Sequence, residues 1–208
     1  MEEDKIRISA IKLGLLGDST VGKTCICEAY LNYEFIQDKI ATIGADKFDK
    51  KFTLENGKEI KLIFLDTAGQ ERFRSADLKA VRSANGIILV FDFTRRDSFE
   101  HLENWISTIK DNFNDDIIIV LFGNKIDLGE EYWQVTSKEA KEYAQQKNLV
   151  LFETSAKMKK GINEGFNYIT NKAYSILEKR MEKKNNIIIK PEEKNNEKCI
   201  ANTSFTYH

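Results

Sequence analysis

The feature that most constrains this chain is the stretch GDSTVGKT, Gly17 to Thr24, set between the apolar run IKLGLL and the segment CICEAYL. It fits the pattern G-x-x-x-x-G-K-[ST] at a place where a buried strand turns into a helix. Glycine at 17 and 22 lets the backbone curl without Cβ clashes, so main-chain N–H groups and a helix N-terminus converge on a phosphate-sized anion. Lys23 would set its ammonium against the β- and γ-phosphates of a nucleotide, and the Thr24 hydroxyl would ligate Mg2+. Ser19, Thr20, Val21, Gly22 and Cys25 complete the candidate nucleotide contacts of this stretch.

Around that loop, short β-rich apolar runs alternate with amphipathic segments. The pattern predicts strands near 8–16, 59–66, 86–92, 117–123 and 149–153 and helices near 22–31, 97–111, 137–146 and 163–183. Such alternation builds a mostly parallel sheet with helices on both faces. Asn56-Gly57, inside KKFTLENGKEIKLIFLD, is a type I′ hairpin signal that makes one edge pair antiparallel. The expected fold is therefore α/β: a single phosphate-loop domain over 1–180, with a six-stranded sheet, and a flexible tail over 181–208. Thr136 and Glu139 have capping-box spacing, which starts a helix there. Ile187 to Ile189 are expected to dock on the domain surface rather than form an element.

Three further stretches test what the loop would hold. LIFLDTAGQE ends an apolar strand in Asp66, where a carboxylate can hold Mg2+ through water, and Gly69 can offer its N–H to a γ-phosphate. VLFGNKID ends another strand with Asn124, Lys125 and Asp127. The Asp127 carboxylate can accept from the guanine ring N–H and exocyclic amine, whereas adenine would leave that charge unpaired, an error of several kcal/mol. FETSAK brings Ser155, Ala156 and Lys157 to the end of the next strand, where the Ala156 N–H could reach the guanine carbonyl oxygen.

On GDSTVGKT, TIGAD, DTAGQERFRS, FDFTRRDSFEHLENWI, GNKIDL and ETSAK, the chain resembles a small GTPase of the Ras superfamily, closest to the Rab branch. The resemblance covers about residues 8–180. It implies that Phe35 flanks the guanine, that Thr42 completes Mg2+ coordination with Thr24 and Asp66, and that Gln70 orients the attacking water beside Lys23. It also implies two switch segments, about 35–46 and 67–78, and a slow GTP-hydrolysing switch in vesicle traffic. Its partners would be effector proteins, an exchange factor and a GTPase-activating protein. The alternative is a guanine-nucleotide-binding scaffold that barely cycles. IGADKF departs from the family pattern at Ala45 and Lys47 on the effector-reading surface, Leu65 replaces a usual tryptophan, and Thr20 is bulkier than the residue usual in the loop. The sequence places no arginine to reach the site in cis.

Composition removes other classes. A net charge of -1, from 32 basic and 33 acidic residues, gives no global attraction to nucleic acid or an anionic membrane. Three cysteines do not form a disulfide framework, MEEDKIRIS is too charged for a signal peptide, and no apolar run approaches the ~20 residues of a spanning helix. The expected location is cytoplasmic, peripheral on endomembranes through partners. Cys199 lies in KCIANTSFTYH with no C-a-a-X arrangement around it. Trp105 and Trp133 read as packing residues, and DNFNDD, which lacks the glycine and glutamate of a calcium loop, reads as a turn.

Overall fold

A computed structural model describes residues 8–34, 46–67 and 74–188. Among these, the strands are β1 (Ala10–Leu16), β2 (Asp46–Thr53), β3 (Glu59–Asp66), β4 (Gly86–Asp92), β5 (Ile118–Asn124) and β6 (Val150–Glu153). The helices are α1 (Lys23–Tyr30), α2 (Arg74–Val81), α3 (Arg96–Glu100), α4 (Leu102–Asn112), α5 (Ser137–Gln146) and α6 (Ile162–Ile188), with single 3-10 turns at Ile126–Leu128 and Glu130–Tyr132. One sheet runs in the order β2-β3-β1-β4-β5-β6. Every pairing is parallel except β2 with β3.

The pleat explains the two cores. Along fully buried β4, Ile88 and Val90 join a core under α1 and α6, while Ile87, Leu89 and Phe91 join the opposite core under α2 to α5. Alternate residues of a strand face opposite sides, so a strand covered on both sides reads as a continuous apolar run. The first core is keyed by three rings, with Tyr30, Phe64 and Phe166 at centroid separations of 4.3–5.5 Å. In the second, Trp105 is fully buried, and Trp133 stacks on Phe93 at 4.4 Å. Both tryptophans are the packing residues the sequence suggests.

Three local readings need correction. The β2–β3 hairpin exists, but its turn is not type I′: Gly57 N–H donates to the Leu54 carbonyl at 2.8 Å, and in this loop only Gly57 has positive φ, at 79°. That is a three-residue loop, a type I turn closed by a left-handed glycine, which preserves register without forcing Asn56 into the left-handed region. The helix expected over 97–111 is interrupted at His101, which keeps helical dihedrals while its ring bonds Asp18. Ile187 and Ile188 do form part of an element, because α6 runs on to Ile188.

The chain reverses direction of travel across the sheet between β1 and β4, and such a switch point leaves a crevice outside the carboxyl ends of the strands. Gly17, Asp66, Asn124 and Thr154 all follow or end strands at that edge.

Candidate functional site

The loop after β1 is shaped by two glycines that no other residue could replace. Gly17 has φ +136°, and a Cβ there would sit 2.2 Å from the Val90 carbonyl oxygen; Gly22 has φ +99°, and its Cβ would sit 2.4 Å from Asn124 Nδ2. Gly22 caps α1 with no side-chain bond to the first turn, which carries no acidic residue. The positive end of the helix therefore faces the loop without a capping side chain of its own.

Lys23 lies across this loop, buried, with Nζ donating to the carbonyls of Gly17 at 3.0 Å and Asp18 at 2.8 Å. Burial lowers its pKa to about 8, the Asp66 charge opposing. Thr24 Oγ1 donates to Asp66 Oδ2 at 2.5 Å, which ties the start of α1 to the end of β3. Burial pushes the Asp66 carboxyl up to about 6, against the Thr24 hydrogen bond and the Lys23 charge. Asp66 Oδ1 is buried and has no hydrogen-bond partner among the described residues. A hard hydroxyl oxygen beside a carboxylate with an orphaned oxygen suits Mg2+, which takes one or two carboxylates plus phosphate oxygens and keeps several waters. No group of three or more His, Cys, Asp or Glu side chains placed to hold a metal ion occurs among the described residues.

The other half of the site hangs on Asn124. Its Nδ2 donates to the Val21 carbonyl at 2.9 Å, and its Oδ1 accepts from Ala156 N–H and the Thr154 hydroxyl, each at 3.3 Å. One buried amide thus joins the loop after β1 to the loop after β6. Asp127 Oδ1 accepts from the Ser155 hydroxyl at 2.6 Å, so the carboxylate is held by the second of those loops. Lys125 takes a left-handed backbone, φ 66°, and pairs with Asp92 Oδ2 at 2.7 Å. Lys157 is exposed and Cys25 half-buried. Phe35, Thr42, Gly69 and Gln70, along with Ala45 and Cys199, lie outside the described residues.

Several residues at this edge were not singled out by the sequence. Asp18 is buried and accepts from Trp105 Nε1 at 2.9 Å, and it lies 2.6 Å from His101 Nδ1. A buried indole needs an acceptor, which is the signal that could have found this pair. Arg95 also reaches the loop: its Nη1 donates to the Ser19 carbonyl at 2.9 Å and to the Thr20 hydroxyl at 2.8 Å. Arg95 thus contacts the phosphate loop in cis and holds the loop's exposed rim. The side chain of Thr20 points to it.

Comparison with known proteins matches residues 12–175 to the model of the Ras family. The chain is 40% identical over 156 residues to Ras-related protein Rab-4 of Dictyostelium discoideum, an overlap of 75% of each chain. It is 38% identical over 169 residues to Ras-related protein RABA4d of Arabidopsis thaliana, covering 81% of this chain and 75% of that one. Against Ras-related protein Rab-13 of Bos taurus the identity is 42% over 155 residues, 74% of this chain and 75% of the relative.

Proposed function

The chain belongs to the Ras family and is a Rab-like small GTPase; from that premise we propose a timer of vesicle traffic whose guanine nucleotide lies across the carboxyl ends of β1, β3, β5 and β6. The observation that carries this reading is Asn124, which ties the phosphate loop at Val21 to the base loop at Ala156. Two loops so joined act as one seat. Loss of either half loosens the other.

Each residue has a physical task in this reading. The amides of 19 to 24 and the Lys23 ammonium neutralise phosphate charge, and Lys23 exchanges its two carbonyl partners for phosphate oxygens of higher charge. Asp127 accepts from the guanine ring N–H and amine, with Ser155 keeping the carboxylate in plane. The Ala156 N–H, now on Asn124, turns to the guanine carbonyl, and Lys125, Lys157 and Phe35 border the base. Thr24, Asp66 and Thr42 would hold Mg2+, which when bound would supply positive charge to offset that of the phosphates. Gln70 orients the attacking water, and Gly69 offers its N–H to the γ-phosphate.

Hydrolysis through a loose transition state demands charge neutralisation in line with the attacking water. Arg95 is held on the outside of the loop by Ser19 and Thr20, so intrinsic turnover is slow, on the order of 10⁻⁴ to 10⁻³ per second. An arginine from a GTPase-activating partner would speed it by ~10⁵-fold, about 7 kcal/mol. No helix among the described residues is long and apolar enough to cross a membrane. In this reading endomembrane association is peripheral and through partners, and effector proteins read the region around Lys47.

The test is the nucleotide carried by purified protein. Released GDP or GTP in near-stoichiometric amount is the expected result. Tight, selective retention of ATP would reject the assignment of Asp127 and with it the base-reading loop.

A further inference from the structure

The residue that precedes α3 spans a gap that nothing in the nucleotide chemistry requires it to span. Arg95 Nη1 donates to the Ser19 carbonyl and to the Thr20 hydroxyl, and Nη2 donates to Asp97 Oδ2 at 2.8 Å. Asp97 therefore aims the guanidinium fork, and the fork grips two successive residues of the phosphate loop. Thr20 is the residue in that loop with the least comfortable backbone. It has φ 66°, a left-handed conformation that is a genuine outlier for a β-branched side chain. Such a residue persists only where its surroundings over-determine it.

The next residue back is fastened to the same part of the molecule. Asp18 is bonded to Trp105 and His101 of the α3–α4 region, so residues 18 to 20 are tied to these elements by three separate side chains. Among the three, Arg95 alone holds the strained residue itself. Its side chain is about one-third exposed and sits on the rim.

We infer that Arg95 is a positioning residue that sets how long the protein retains its nucleotide, by locking Ser19 and Thr20 in the conformation that turns their amides inward. This rests on the nucleotide-binding reading above. The phosphates are enclosed by the loop, so release requires the loop to open. Opening breaks the Arg95 bonds and lets Thr20 relax. Arg95 touches no reacting atom in this arrangement, and the cleavage step is independent of it.

The experiment follows release of a fluorescent GDP analogue from the full chain in saturating Mg2+, together with single-turnover GTP hydrolysis and thermal unfolding. Arg95→Ala is expected to release the analogue about tenfold faster, the loss of two charge-assisted hydrogen bonds at a part-exposed site, with hydrolysis unchanged. Arg95→Lys should stay within about threefold of wild type, since an ammonium can still donate to the Ser19 carbonyl or the Thr20 hydroxyl. In a Thr20→Gly background, where both strain and hydroxyl are gone, Arg95→Ala should accelerate release only about threefold, a coupling between the two sites. Unchanged release in Arg95→Ala overturns the inference. So does a fall in hydrolysis with release unchanged, which would make Arg95 a group at the transferred phosphate. A wild-type chain that takes up no labelled GDP overturns the inference and the nucleotide reading together, a result distinguishable from either of the others.

Discussion

At the scale of single residues, the proposed function gives two side chains distinct tasks, one in what is bound and one in what is done to it. In that reading Asp127 meets the base through a carboxylate that accepts twice. Asp127→Asn replaces one acceptor oxygen by a donor, so GDP affinity is expected to fall about 100-fold or more, near 2.7 kcal/mol, measured by equilibrium titration. An unchanged GDP affinity would show that the carboxylate does not face the base. In the same reading Gln70 acts on water and not on nucleotide, so Gln70→Leu should keep GDP affinity and lose most turnover. A single-turnover assay at the wild-type rate would remove Gln70 from the mechanism. The motifs make Lys23, Thr24, Asp66, Asn124 and Asp127 legible because their chemistry depends on residue type at fixed spacing. Arg95, Asp18 and His101 were not legible. Each matters through a partner many positions away, and no local spacing encodes that.

At the scale of elements, the ends of helices show where local chemistry suffices. Thr136 caps α5, its hydroxyl accepting from Glu139 N–H at 3.1 Å, as the T-x-x-E spacing predicts. The reciprocal half of the box is diverted, because Glu139 pairs with Arg96 at 2.7 Å instead. Thr136→Ala should therefore cost about 1 kcal/mol, or about 2–4 °C in the unfolding midpoint, without changing nucleotide affinity. A loss of affinity of the same size would tie α5 to the site in a way its contacts do not suggest. The hairpin carries the complementary lesson. Asn56-Gly57 announces a turn, but the register of β2 on β3, with Phe52 opposite Ile60, selects which turn closes it.

At the scale of the whole molecule, the site is costly to fold without its ligand. Asp66 titrates near 6 in the fold against 3.8 ordinarily, so the folded state binds more protons than the unfolded one between those values and stability falls as pH rises through them. Lys23 titrates near 8 against 10.5, so the unfolded state binds more protons there and stability rises with pH from about 8 to 10.5. The two groups together predict a trough in the stability of nucleotide-free protein between pH 6 and 8. Its acid wall amounts to about 3 kcal/mol for a shift of about two pH units. Thermal unfolding of stripped protein at pH 5, 7 and 9 should show the trough, Asp66→Asn should fill its acid side, and nucleotide with Mg2+ should abolish it. A flat profile in stripped protein would mean that neither charge is buried as described. The sequence by itself determined the sheet with helices on both faces, the glycine-lysine loop after β1 and the residue types proposed to read guanine, because hydrophobic period and motif spacing are local in the chain. Only the tertiary structure decided that Asn124 joins two loops, that Asp18 is anchored by Trp105, and that Arg95 reaches the rim of the phosphate loop. Those contacts join residues 32 to 103 positions apart, and only the packing of helices on the sheet brings them within hydrogen-bond distance.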